Sequence, residues 1–369
     1  MSYVPCRQPT ATGRPDTTKS PPKSPLSDET IKICLTRAQL APFGSPAASV
    51  RRNARDERDL PMSKVPGPHG PMLTEEVIAL AARRCPRFVP HEVLAHTDKS
   101  LLRTGVYAGE AAVAKLLTDT APSWRTRFTA EVRTYQVFVA HPPPVRVPRL
   151  LAADAEVGML MLEQVSGAPA NNERHPATPL ARPVAAVMAA TSGALAAWEP
   201  PAGAFSPVFD YPQRFSRYGP HGYGLLTPVD VERLTALYGE LTDAGKTAWE
   251  FAHGDTLSSN FLLTDDGCEL IDWEFAGLYL PGFDRAMLWI LLHNDPATRA
   301  QLLLPAVTGG WHRQAAWWVN ATAAVAREIR MHQGLPATSQ RAHRPAALTE
   351  DMATVRTQLA RLAHAIGHP

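Results

Sequence analysis

Residues 251–274 read Phe251-Ala252-His253-Gly254-Asp255-Thr256-Leu257-Ser258-Ser259-Asn260-Phe261-Leu262-Leu263-Thr264-Asp265-Asp266-Gly267-Cys268-Glu269-Leu270-Ile271-Asp272-Trp273-Glu274. Trp249 to Ala252 is a short apolar lead-in, and Phe261-Leu262-Leu263 reads as a buried strand. Asp265-Asp266-Gly267 reads as a hairpin turn and Glu269-Leu270-Ile271 as the returning strand. A loop, a strand, a tight turn and a strand bring Asp272 back beside Asn260. Two oxygen ligands suited to a hard cation then converge.

Asp255 lies five residues before Asn260, and Asp272 follows the second apolar run. Phosphoryl transfer needs such a set. One carboxylate accepts or orients the attacking hydroxyl, while an amide oxygen and a second carboxylate hold the magnesium that neutralises the phosphates. The bland alternative is a polar loop between two buried strands, which does not call for this spacing.

His253-Gly254-Asp255-x4-Asn260 followed by Ile271-Asp272-Trp273-Glu274 resembles the aminoglycoside phosphotransferase and choline kinase superfamily. The likeness continues through Phe275-Ala276-Gly277 to Gly282-Phe283-Asp284 and covers roughly residues 75–300. It implies an α+β, bilobal protein-kinase-like fold, with a small antiparallel-sheet N-lobe carrying one helix and a larger, mostly helical C-lobe. It also implies transfer of the γ-phosphate of ATP (or GTP), with Mg2+, to a small-molecule hydroxyl. Gly254 stands where protein kinases carry an arginine that pairs with a phosphorylated activation loop, which points to a small acceptor. The expected organisation is a disordered tail at 1–72, an N-lobe at 73–162, a hinge at 163–167 and a C-lobe at 168–369.

A kinase-like fold needs a strand lysine on the nucleotide phosphates and a helix glutamate to hold it. Ala112-Val113-Ala114-Lys115-Leu116-Leu117 reads as that strand, entered from a turn at Ala108-Gly109-Glu110, and Lys115 is the only lysine between Lys99 and Lys246. The segment Phe128 to Val139 reads as an amphipathic helix with Glu131 facing the sheet. The phosphate loop departs from the family pattern. Between strands at Glu92–Ala95 and Leu101–Tyr107 lies Thr97-Asp98-Lys99-Ser100, without the glycine that lets amides approach phosphate. Ser100 and neighbouring amides could substitute, or the turn could be an ordinary polar hairpin. Gly158 to Gly167 reads as the last small-lobe strand entering the hinge, and the family likeness puts adenine contacts near Glu163 to Val165.

The rest of the site follows from the resemblance. Asp255 is the catalytic base or hydrogen-bond acceptor, His253 braces its loop, Asn260 and Asp272 hold magnesium, Asp284 supports the catalytic loop, and Glu274 could reach a second metal. Two other readings stay open: a catalytically weak or inactive nucleotide-binding scaffold of the same fold, and a protein kinase. Gly254 and Asp272-Trp273-Glu274 speak against the latter.

Composition bounds the remainder. The chain has 369 residues and a net charge of +2, with no long basic run, so it lacks an electrostatic nucleic-acid footprint. Cys6, Cys34, Cys85 and Cys268 are scattered without metal-ligand spacing. No apolar run approaches a membrane span, and no signal-peptide core follows Met1, so a cytoplasmic protein is expected. The first seventy residues are rich in Pro, Ser, Thr and Arg and poor in large apolar groups. A helix is expected from near Thr74.

Past the hinge, helices are expected at Pro183–Trp198, Pro228–Thr242, Ala286–His293, Arg313–Met331 and Asp351–Ile366, with loop-like, aromatic-rich chain between Pro200 and Pro228. From Asp295 to Pro369 the acids are Asp295, Glu328, Glu350 and Asp351 against eight arginines, which leans toward a neutral or anionic acceptor. Trp311, Trp317 and Trp318 could hold a quaternary ammonium as in choline kinases, although helical spacing also suits a core role.

Overall fold

Alternation along one strand sets the two faces of the small lobe. In the computed structural model, which describes residues 79, 82–243, 249–333 and 344–368, strand β3 (Glu110–Leu117) buries Ala112, Ala114 and Leu116 on one side, with Phe88, Leu101, Met159 and Met161. Lys115 therefore leaves the opposite face. β3 lies at the centre of an antiparallel sheet ordered β1-β2-β3-β5-β4, with β1 at Phe88–His96, β2 at Ser100–Tyr107, β4 at Leu150–Asp154 and β5 at Met159–Glu163. The expected tail at 1–72 and the helix start near Thr74 fall outside the described residues.

Helix α1 (Pro122–Ala140) turns Phe128, Glu131, Val132, Tyr135 and Phe138 inward, one face of a 3.6-residue period. It starts at Pro122 rather than at Phe128. A proline in the first helical turn has no intrahelical N–H to lose and a φ already suited to the helix.

Beyond Glu163 the chain enters β6 (Ala168–Pro169), then α2 (Arg182–Ala196), α3 (Tyr211–Tyr218) and α4 (Pro228–Thr242). β7 (Glu250–Ala252) leads into the segment at 253–274, where β8 (Phe261–Thr264) and β9 (Gly267–Leu270) form the expected hairpin with Thr264 opposite Gly267. β10 (Gly277–Tyr279) pairs back onto β7, and β6 pairs with β8. The remaining helices are α5 (Phe283–Leu291), α6 (Pro296–Thr308), α7 (Gly310–His332) and α8 (Arg344–His364). The result is the expected α+β, two-lobed architecture.

Two helices differ from expectation. The loop-like stretch from 200 to 228 contains α3, started by the Asp210 carboxylate accepting from Gln213 N at 3.0 Å, with Tyr211, Phe215 and Tyr218 buried. Helix α6 was not anticipated. Asp295 caps it through Thr298 N at 3.0 Å and Thr298 Oγ1 at 2.7 Å, and Pro305 inside it obscures the pattern. Trp317 and Trp318 are core residues, their rings 5.4 and 5.9 Å from that of Trp289, and Trp311 packs against the same core. Among the described residues no helix is long and apolar enough to cross a membrane.

Candidate active site

The loop at 253–260 is shaped from beneath by the first turn of α5. The Asp284 carboxylate accepts from His253 N at 2.7 Å and from Gly254 N at 3.0 Å, and its backbone carbonyl accepts from Thr256 Oγ1 at 3.2 Å. Burial pushes the Asp284 carboxyl up, while His253 and the two amides oppose the shift. Gly254 has φ +81°, and a Cβ there would run into the Phe275 carbonyl and the Tyr279 hydroxyl. The backbone itself thus excludes an arginine at this slot.

His253 is fully buried. Its Nδ1 accepts from Asp255 N at 3.3 Å, so Nε2 carries the proton and donates to the Ile271 carbonyl at 2.9 Å. Both ring nitrogens are committed within the loop, and the ring lies 4.5 Å from that of Trp273. This geometry braces the loop and leaves the imidazole no open atom for proton transfer. Asn260 donates from Nδ2 to the Asp255 carbonyl at 2.9 Å, which turns its Oδ1 away from that bond. Ile271 N donates to the Asn260 carbonyl at 3.1 Å, holding the chain just before Asp272 beside Asn260.

Trp273 explains how Asp272 and Glu274 are oriented. Its ring is fully buried, packs edge-on against Phe138 of α1 at 4.8 Å and donates from Nε1 to the Leu270 carbonyl at 3.1 Å. The flanking carboxylates pair instead with lysines of the small lobe, Asp272 with Lys115 and Glu274 with Lys99. Asp272 has φ +67°, a left-handed conformation that costs a non-glycine residue about 1–2 kcal/mol.

Lys115 Nζ donates to Asp272 Oδ1 at 2.6 Å and to Glu131 Oε2 at 2.7 Å. Sheet, helix α1 and the segment after β9 therefore meet at one ammonium group. Burial pushes the Asp272 carboxyl up, but Lys115 and Lys99 outweigh it and hold the group well below the usual carboxylate range. Burial raises Glu131 to about 7, against the pull of Lys115. Burial also opposes the charge on Lys115, yet Asp272 and Glu131 keep its pKa well above the ordinary lysine value.

The turn before β2 is self-contained. Ser100 N donates to Thr97 Oγ1 at 3.0 Å, the two hydroxyls lie 3.2 Å apart, and Ser100 is buried. Ser100 is thus turned into its own hairpin rather than toward the cleft. Lys99 reaches out instead and forms an ion pair with Glu274. At the hinge, Glu163 N donates to the Arg149 carbonyl at 2.9 Å and Gln164 N to the Ala111 carbonyl at 3.1 Å, with Val165 next in the chain. The Glu163 amide is therefore used within the small lobe.

Sequence reasoning missed a charged network behind Asp255. Arg174 donates to both oxygens of Glu328, at 3.1 and 2.8 Å, and His175 Nε2 lies 2.9 Å from the same carboxylate. Arg344 donates from Nη2 to His175 Nδ1 at 2.8 Å. Nδ1 is then the acceptor and Nε2–H donates to Glu328. His175, Glu328 and His332 present ligand atoms within 4.8 Å of one another, but the committed Nε2–H and the flanking guanidiniums make an ion-pair network rather than a metal centre. Arg327 Nη2 lies 3.7 Å from Asp255 Oδ1 and 3.3 Å from Glu328 Oε1. The available signal was Glu328 itself, a lone acid in the alanine-rich run of α7.

The family model described as phosphotransferase enzyme family matches residues 95–318. No curated protein matches the chain. Among solved structures, a choline/ethanolamine kinase family protein from Mesorhizobium loti is 17% identical, with 79% of this chain and 98% of that chain covered and a TM-score of 0.51. The microcompartment-associated aminopropanol kinase is 13% identical, with 78% and 98% covered and a TM-score of 0.51. These two share the fold. Because the family match spans more than half of the sequence, including Lys115, the loop at 253–260 and Asp272, the chain belongs to the phosphotransferase enzyme family.

Proposed function

We propose that the chain transfers the γ-phosphate of ATP or GTP to a hydroxyl of a small molecule. The observation that carries this reading is the three-way contact of Lys115 with Glu131 and Asp272, beside a loop that Asp284 shapes around Asp255 and Asn260. Lys115 takes the α and β phosphates, and Glu131 keeps the ammonium in place when Asp272 is drawn elsewhere. Asp255 orients the acceptor hydroxyl in line with the γ-phosphorus and accepts its proton. The acceptor oxygen forms the new P–O bond, the bond to the β-phosphate oxygen breaks, and the nucleoside diphosphate leaves.

The donor set suits Mg2+. Asp272 is held ionised, Asn260 Oδ1 is oriented by the bond its Nδ2 makes, and both are hard oxygen ligands. When bound, the ion supplies charge neutralisation on the phosphates. Glu274 lies on the same side, paired with Lys99, and is the third oxygen donor within reach. With Ser100 and its amide spent inside the turn, Lys99 is the group of that hairpin left to meet phosphate. Adenine contacts fall to hinge carbonyls and the Val165 amide.

The self-satisfied turn at 97–100 is the observation that favours the second reading, a nucleotide-binding scaffold with weak or no catalysis. Incubation with γ-labelled ATP and Mg2+ separates the readings. Label appearing in water-soluble small products supports phosphotransfer, nucleotide binding without any label release supports the scaffold, and label in protein supports a protein kinase. The near-neutral charge favours no nucleic-acid or membrane partner, and a cytoplasmic location suits such a kinase.

A further inference from the structure

The backbone of Asp255 is pinned from both sides. Its amide donates to His253 Nδ1 at 3.3 Å, and its carbonyl accepts from Asn260 Nδ2 at 2.9 Å and from Leu257 N at 2.8 Å. Those bonds do not fix the carboxylate, which can still turn about its side-chain torsions. Among the described residues its charged partner is Arg327 of α7, whose Nη2 lies 3.7 Å from Asp255 Oδ1. At that distance the contact is an ion pair rather than a hydrogen bond. Salt bridges in open water contribute little, but these two side chains are only 18% and 17% exposed, so solvent screens the pair weakly.

Arg327 is held in its turn. Its Nη2 donates to Glu328 Oε1 and contacts Met287 Sδ, each at 3.3 Å. Glu328 is fully buried. Burial would raise its carboxyl, but Arg174, His175 and Arg327 hold it well below the usual range, so it is a fixed anion. Arg174 alone balances that charge, and Arg174 with His175 already supplies donors to both oxygens. A third donor is not needed to satisfy Glu328, which leaves the charge of Arg327 to act on Asp255. A purely packing role for Arg327, through Met287 of α5, does not account for Nη2 standing between two carboxylates.

Resting on the phosphotransferase reading, we infer that Arg327 is a positioning residue for Asp255, turning its carboxylate toward the attacking hydroxyl, with Glu328 as the anchor behind it. Misplacing a reacting group by about 1 Å costs on the order of 10²-fold in rate, and a carboxylate with free torsions has that range of movement. In this role Arg327 touches neither phosphate nor acceptor, and its whole effect runs through Asp255.

The test uses the full chain with water as the acceptor, by steady-state hydrolysis of ATP in Mg2+. Wild type is compared with Arg327→Met, Arg327→Lys, Asp255→Asn and the combination of Arg327→Met with Asp255→Asn. Arg327→Met is expected to lower kcat by about tenfold or more while the KM for ATP changes by less than about twofold. Arg327→Lys, which keeps the charge without the planar fork, should recover part of the loss. In the Asp255→Asn background Arg327→Met should lower kcat no further, because the group it orients is gone. An equal fall in both backgrounds means that Arg327 acts on its own or through the fold, and overturns the inference, as does an unchanged kcat in Arg327→Met. If Arg327→Met loses its cooperative melting transition, Arg327→Gln, which keeps a donor for Glu328, takes its place under the same criteria. Absence of Mg2+-dependent hydrolysis in the wild type removes the phosphotransferase reading instead, and the inference with it.

Discussion

Lys115 Nζ stands 2.6 Å from Asp272 Oδ1, joining the third strand of the small lobe to the segment that follows β9 in the large one. The same ammonium holds Glu131 at 2.7 Å, so one cation serves two carboxyl groups in a poorly hydrated place. Losing one member of such a cluster leaves the others unpaired, which costs about 3–5 kcal/mol. Lys115→Met is therefore expected to lower the melting temperature sharply and to abolish transfer. Lys115→Met combined with Glu131→Leu should recover part of the stability without recovering activity. Paired thermal melts and label-transfer rates check both statements.

Asp255→Ala separates chemistry from binding. Positioned proton acceptance contributes typically 10²–10⁴-fold, so kcat should fall by about that factor while nucleotide affinity changes little. Single-turnover transfer and nucleotide titration give the two numbers. Equal losses in both would mean that Asp255 serves the loop's structure.

Asp284→Ala should act at a distance. It strips the acceptor from the His253 and Gly254 amides, each a buried donor whose loss costs about 1–3 kcal/mol. The expected signature is a lower kcat with a nearly unchanged nucleotide KM, because the loop carrying Asp255 loosens while Lys115 stays in place. Steady-state kinetics at saturating and limiting nucleotide separate the two terms.

The network behind the loop predicts acid sensitivity. Burial, despite Glu328, lowers the His175 pKa to about 4 from 6.5. A proton is then taken up on unfolding, so the stabilisation is present above about pH 6.5 and is lost as pH falls toward 4. Glu328, which burial would raise but Arg174 and His175 hold well below the usual range, adds a loss in the same direction below its ordinary value. Melting temperature should thus drop more steeply between pH 6.5 and 4 in the wild type than in His175→Gln.

What could be read from the chain is what is local. The spacing of His253, Asp255, Asn260 and Asp272 lies within one loop and one hairpin, and period-two alternation around Lys115 suffices to place its strand. Helix α3 escaped because Pro and Gly flank it closely, although Asp210 followed by Pro212 was a start signal. Helix α6 escaped through Pro305, which does not break the helix here but removes one of its donors. Ser100 looked available because a turn's sequence does not tell which way its hydroxyl faces. The Arg174–Glu328 pair joins residues 154 positions apart, and no local pattern encodes such a meeting.

A metal–nucleotide site built on Asp272 can be tested without any acceptor, by a thermal shift with ATP and GTP, with and without Mg2+. A ligand that binds only the folded state raises its stability by mass action. A Mg2+-dependent rise in melting temperature is expected for the wild type and should disappear in Asp272→Ala. No shift at millimolar nucleotide, or an equal shift in the variant, would contradict it.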